Sequence, residues 1–416
     1  MIARIYVKFD LLSSILHWSE FFSLSMNFKM IFALLMGLDL GSVFMNIPPA
    51  MDELMHVYGS ISYAKTSILL SALIWSHALI QIPAGMLTDR LGLKRNLLAS
   101  ILFIVFGNFM AVAAPLFELA LLGRVIAGIG TGLSFPVILK LVALYAPGGR
   151  IGTYQAFFGG CFSLGSIISY VAIPRLIVFG WQRIYIMPGL FSLLLLAMVP
   201  LLRLQPQAAG KYLPINLSRL LSLRDGWILG LCHGISYGSM LNLGNWVPSI
   251  LAEMSKQEIS IGFLWGGTFV MLISGMGRLF GGFLLIRFTS MDILSFSIAA
   301  IAFLYLCLFL FSSPAIALTL ALMASWFASI NFGAIFYLAG RITATDSETS
   351  LATLVGFVNF LANLAAVFFI LLFGFIKDLS GTFTWGFGLL SVMSFVLMQT
   401  GLRGLRRAGR AKASRM

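Results

Sequence analysis

Runs of about twenty apolar residues, set end to end with only brief polar breaks, dominate this chain. A helix of about 20 such residues is what crosses the hydrocarbon core of a bilayer. Twelve runs qualify, at roughly 29–48, 66–88, 95–115, 118–142, 152–174, 184–203, 226–250, 260–286, 293–312, 314–340, 350–376 and 382–401. The ninth and tenth are parted by little more than Ser312, Ser313 and Pro314. Composition agrees: 60% of residues are hydrophobic and 10% charged, where soluble domains carry about a quarter charged. No soluble core hides that much apolar surface. The chain reads as an all-α membrane protein of twelve transmembrane helices.

Residues 1–28 differ. "IYVKFDLLSSILHWSEFF" holds Lys8, Asp10, His17 and Glu20, which makes it a poor spanning segment, and it lacks a signal-peptide cleavage pattern. It reads as a short interfacial amphipathic helix, unless the native start is Met26 or Met30. Placing the N-terminus inside puts 19 Lys and Arg on cytoplasmic segments and leaves Lys65, Arg175, Arg183, Lys256 and Lys377 outside. By the positive-inside rule both termini are then cytoplasmic, and the plasma (inner) membrane is the expected location. The net charge of +13 is a topology signal and a contact with anionic lipid headgroups, not a nucleic-acid footprint.

The usual chemical signatures are missing. Cys161, Cys232 and Cys307 fall inside apolar runs without CxxC spacing, so neither a disulfide framework nor a zinc site is implied. There is no HExxH, no GxSxG and no GxxxxGK[ST], which removes metalloprotease, serine-hydrolase and ATP-driven chemistry. No cofactor is expected, and the chain does not read as an enzyme.

After the second run stands "GMLTDRLGLKR", Gly85 to Arg95, with Asp89, Arg90, Lys94 and Arg95 crowded around Gly92. Its G-x-x-x-D-R-x-G-x-K-R form resembles the signature loop of the major facilitator superfamily. Half a chain later, "GRLFGGFLLIRFTSMD" keeps a glycine at Gly282 and an arginine at Arg287 but has Ile286 where a carboxylate would repeat Asp89. Span one contains "GLDLGSVFMNIPP" and span four "GRVIAGIGTG", both similar to family patterns. The Gly-Pro dipeptide of drug/proton antiporters is absent from span five, which weakens an efflux reading. The resemblance implies two pseudo-symmetric six-helix bundles, 29–203 and 226–401, joined by a polar cytoplasmic linker, 204–225, and followed by a basic tail, 402–416. It also implies that the end of span two meets the start of span eleven. Asp89 would then dock on a helix N-terminus, which carries about half a positive charge, as a gating latch with Gly85, Arg90, Gly92, Lys94 and Arg95.

Charges inside the membrane are costly and usually face a cavity or a partner. Arg278 in span eight aligns with Gln81 in span two, four residues ahead of the shared glycine. Both should face a central cavity, where a guanidinium suits a carboxylate, nitrate or phosphate. Tyr237, Asn242, Asn245 and Trp246 of span seven are added to that substrate site. Asp39 and Arg124 are candidates for proton coupling, with His77 and His233, although an Asp39–Arg124 bond or plain packing explains them equally. The expected function is secondary active transport of a small polar, anionic metabolite, driven by protons through alternating access in a monomer. Proton-coupled efflux of amphipathic compounds, and a transporter-like sensor or scaffold, are the alternatives.

Overall fold

Helices account for almost every described residue, and no strand occurs among them. The computed structural model describes residues 27–113, 115–146, 151–204, 217–285, 287–343 and 351–402. The expected interfacial segment before residue 27, residues 205–216 of the expected linker, and the tail from 403 lie outside the described residues. α1 is Phe28–Phe44, continued past a break at residues 45–47 by Pro48–Ala50 and Met51–Val57. α2 and α3 are the two arms of Tyr63–Ala111, which part at Gly92. α4 is Phe117–Tyr145, α5 Ile151–Leu176 and α6 Arg183–Met198. A short helix, Leu217–Ser222, occupies the second half of the expected linker. Then come α7 Arg224–Ser255, α8 Ile261–Leu284, α9 Ser290–Leu310, α10 Pro314–Ile342, α11 Leu351–Ser380 and α12 Thr384–Leu402.

Among the described residues ten helices are long and apolar enough to cross a membrane, and the bent α1 pair, at 41°, makes eleven. The twelfth is α7. Its 32 residues give a length of about 48 Å, but its serines, glycines, His233, Asn242 and Asn245 lower its hydropathy. Of those 32 residues 24 are buried, so its polarity meets protein rather than lipid.

The turn between α2 and α3 depends on Gly92, whose φ of 77° and ψ of 163° break the helix. An L-residue pays for that left-handed φ, and glycine does not. The other glycine-dependent feature is α4. Gly128 and Gly132 lie against the α2 backbone at Leu73 and His77, and Gly123 and Gly130 against α3 at Gly107 and Ser100. A methyl group at any of the four would overlap the neighbouring backbone. Small residues let membrane helices approach this closely.

The two halves repeat one another. α1 packs on α5 as α7 packs on α11, and α3 on α6 as α9 on α12. Across the interface α2 meets α11 and α5 meets α8. These four are the paired helices of a pseudo-two-fold arrangement. At the end of the molecule that carries Glu253 the halves are in contact. Tyr170 of α5 donates to the Gly244 carbonyl of α7, Ser249 of α7 approaches Met51, and Tyr63 lies against Trp246 and Phe383.

Candidate functional site

Midway along the bundle a chain of polar side chains links the halves. His77 and Gln81 are one turn apart on α2, and Gln81 Nε2 stands 2.8 Å from His77 Nε2. The amide nitrogen can only donate, so His77 Nε2 accepts and the ring proton sits on Nδ1. Nδ1 then donates to Thr131 Oγ1 of α4 at 3.0 Å, and that hydroxyl donates to the Gly128 carbonyl at 3.0 Å. The bonds fix a neutral imidazole, with Phe44 edge-on to it at 5.1 Å. On its other side Gln81 Oε1 accepts from Asn359 Nδ2 of α11, 3.4 Å away in the opposite half.

Asn359 and Arg278 are the polar neighbours of His233 on α7. Both ring nitrogens of His233 are buried, with Asn359 the side chain in reach of them, and Tyr237, Phe332 and Phe336 surround the ring at centroid distances of 5.7, 6.0 and 5.5 Å. Arg278 is half-buried on α8. Its Nη2 reaches the Met240 sulfur at 3.2 Å, and its guanidinium carbon lies 5.1 Å from the Phe332 ring centre. A thioether is a weak acceptor. Among the described residues no carboxylate pairs with this cation. The arrangement can receive an anion: one fork of donors, flanked by a phenol, an imidazole and two amides.

The other candidates separate from this cluster. Asp39, fully buried on α1, faces Ser192 of α6, whose Oγ lies 2.9 and 2.8 Å from its two oxygens and 3.0 Å from the Pro188 carbonyl. A hydroxyl has one proton to give. If Asp39 is protonated, it donates to Ser192 while Ser192 donates to Pro188, so that both protons have an acceptor. Arg124 takes no part in that. Its Nη1 donates to the Val43 carbonyl at 2.8 Å and to Asn46 Oδ1 at 2.9 Å, both at the α1 break. The hydrogen bonds of Asp39 and Arg124 therefore run to different partners, and none joins the two residues.

On α7, Tyr237 belongs to the central cluster. Asn242 is fully buried, with neither amide atom bonded, and Asn245 donates to the Leu241 carbonyl in its own helix. Trp246 packs 6.0 Å from Tyr63 and 5.3 Å from Phe383. It is nine residues beyond Tyr237, about 13 Å along the axis, and so lies in the closed Glu253 end rather than beside Arg278. Of the signature loop, Gly92 makes the turn and Lys94 and Arg95 are exposed. Gly85, Asp89 and Arg90 run within the helix, but their surroundings, and Ile286 altogether, lie outside the described residues. Asn359 and Ser192 were not among the sequence candidates. Asn359 was visible as an amide inside the apolar eleventh run, whereas a serine in an apolar helix gives no signal of its own.

Known proteins resemble the chain in both sequence and fold. A Multidrug resistance protein B homolog of Mycobacterium tuberculosis is 28% identical over 170 residues, 40% of this chain and 32% of that protein. A probable galactarate/D-glucarate transporter of Bacillus subtilis is 31% identical over 153 residues, 35% of this chain and 33% of that protein. The chain thus spans about a third of the length of these relatives. The crystal structure of a D-xylose-proton symporter superposes with a TM-score of 0.71 at 17% identity, covering 89% of this chain and 97% of that one. The family model of the Major Facilitator Superfamily matches residues 29–365. With twelve helices in two repeating halves, the chain belongs to the Major Facilitator Superfamily and is an integral membrane protein.

Proposed function

We propose that this chain moves a small polar, anionic metabolite across the plasma membrane by proton-coupled alternating access, acting as a monomer. The observation that carries the reading is Arg278, a cation inside the bundle whose neighbours are a thioether and a ring. A guanidinium there is costly to leave without an anion, and its fork suits a carboxylate bidentately. Gln81, Asn359, His233 and Tyr237 would orient the rest of the solute. The distribution of Lys and Arg makes the Gly92 end cytoplasmic, so the closed Glu253 end faces outward. Asp39 is the proton site in this reading, because it is a fully buried carboxyl whose side-chain partner is a serine hydroxyl and not a cation.

Carboxylate-bearing metabolites are the first class to test, with galactarate and D-glucarate, named for the Bacillus subtilis relative, among them. Thermal-shift screening of such anions on purified protein, followed by uptake into proteoliposomes under a pH gradient, tests the proposal. A hit should raise the melting temperature of the wild type and not of Arg278→Gln. If neutral and anionic solutes stabilise both proteins equally, the anion reading fails. Phe332 beside Arg278, with Phe336 packed on Phe332, favours a second reading, in which the solute is amphipathic and leaves the cell, as the name of the Mycobacterium tuberculosis relative suggests. Proton-driven extrusion of a planar aromatic acid, with no accumulation of a sugar acid, selects it.

A further inference from the structure

α2 begins at Tyr63 behind its cap residue Ser62, and the first amides of a helix have no partner within it. Here the partner comes from the other half. Asp378, in the last turn of α11, accepts from the Tyr63 N–H through Oδ1 at 3.0 Å and from the Ala64 N–H through Oδ2 at 2.7 Å. Both are charge-assisted bonds, and the carboxylate sits on the positive end of the helix dipole. One turn earlier in α11, Gly374 brings the helices together: a Cβ there would stand 2.6 Å from the Ser67 side chain and from the Tyr63 carbonyl. The neighbouring Lys377 is occupied within its own half, bonding Glu253 at 2.9 Å and the Gly381 carbonyl at 2.7 Å. Asp378 alone of this pair hydrogen-bonds across the interface, although Lys377 Nζ also stands 5.6 Å from the centre of the Tyr63 ring.

The pattern has a counterpart. Gly374-x-x-x-Asp378 repeats Gly85-x-x-x-Asp89 in spacing and in place, each near the C-terminal end of its helix. α2 and α11 are also antiparallel partners, since the start of α2 meets the end of α11 at Asp378 while Gln81, further along α2, meets the earlier Asn359. Each helix therefore carries a glycine and an aspartate near its C-terminal end, and the two ends lie on opposite faces of the molecule.

We propose that Asp378 is a gating residue, the second of two opposed latches on one helix pair. Asp378 on the start of α2 holds the Glu253 end shut, and the family resemblance gives Asp89 the corresponding role at the Gly92 end. The halves rock between the two, and the relative strength of the latches sets the resting state. The proposal rests on the alternating-access reading, but its test needs no substrate.

Spin labels on Lys65→Cys and Lys256→Cys, in the full chain with Cys161, Cys232 and Cys307 replaced by alanine, report the opening of the Glu253 end by pulsed electron paramagnetic resonance. Asp378→Asn should shift the distance distribution to longer values. Gly374→Leu, which wedges the helices apart and keeps the charge, should do the same. Asp89→Asn should produce no widening alone, and combined with Asp378→Asn it should restore part of the short-distance population. Asp378→Ser serves as a second removal of the carboxylate if the asparagine variant is recovered poorly. Unchanged distances on loss of the carboxylate, or widening by Asp89→Asn alone, would overturn the proposal. Failure of anion binding at Arg278 would leave these distances untouched and would count against the substrate reading only.

Discussion

Two arginines stand inside the membrane, and their surroundings are opposite. Arg124 is 2% exposed and spends one nitrogen on two acceptors at the place where α1 breaks. Asn46 extends the bond to the Ile184 carbonyl of α6 at 3.0 Å. A broken helix in a bilayer must have its freed backbone groups satisfied by neighbours, and Arg124 does this for Val43. Arg278 has a sulfur and an aromatic face in place of carbonyls. The same side chain is tied through one nitrogen to oxygen acceptors in the first half, with its Nε and Nη2 unpaired, and meets a sulfur and a ring in the second. What separates them is the partner, not the depth.

The largest effect should come from Arg124→Met. It leaves the Val43 carbonyl and Asn46 without their donor, a loss of about 2–4 kcal/mol for two buried acceptors. Melting temperature and yield from size-exclusion chromatography should both fall, while the protein that does fold binds anions normally. Impaired binding with full stability would reverse the comparison. Asp39→Asn should be the sharpest functional change without loss of fold. An amide imitates the protonated carboxyl and cannot cycle, so uphill accumulation should vanish while downhill exchange persists. Loss of both together would make Asp39 structural, in the manner of Arg124.

Arg278→Lys keeps the charge but removes the fork. Affinity for the anion should drop by about 1–3 kcal/mol, as two charge-assisted bonds become one, with an unchanged melting temperature in the absence of ligand. A collapse of yield, with normal binding by the surviving protein, would move Arg278 into the class of Arg124. The smallest effect is expected from Asn359→Ala. Its bond to Gln81 is long, and its loss should weaken anion binding by about 0.5–1.5 kcal/mol. An effect as large as that of Arg278→Lys would identify Asn359 as a direct ligand of the solute.

Much of the architecture was legible because lipid imposes it. All twelve spans can be read as apolar runs, α7 the most polar of them, and the Gly92 turn follows from its residue type. Arg278 and Gln81 were paired by aligning the halves, and both enter the central cluster, although Gln81 reaches the second half through Asn359. The i, i+4 spacing of His77 and Gln81 predicts that they share a helix face, but not that their bond selects a tautomer. Trp246 could not be placed by composition, since an aromatic next to amides suits a binding wall and a gate alike. Asp378 was hidden for a different reason. A carboxylate near a helix end looks like ordinary surface charge until the opposing helix start is known to lie against it.

The low hydropathy of α7 bears on how the protein is made. A segment with His233, Asn242 and Asn245 in its middle is a poor candidate to leave the insertion machinery for lipid alone, since polar groups in hydrocarbon cost several kcal/mol each. Its glycines fit against Leu361, Ala365 and Phe369 of α11, which is synthesised more than a hundred residues later. Until that helix emerges, α7 has to be kept by the nascent bundle or by the translocon. A chain stopped just after Ser255 should therefore leave its last segment outside the bilayer core, and the orientation of everything downstream depends on its late arrival.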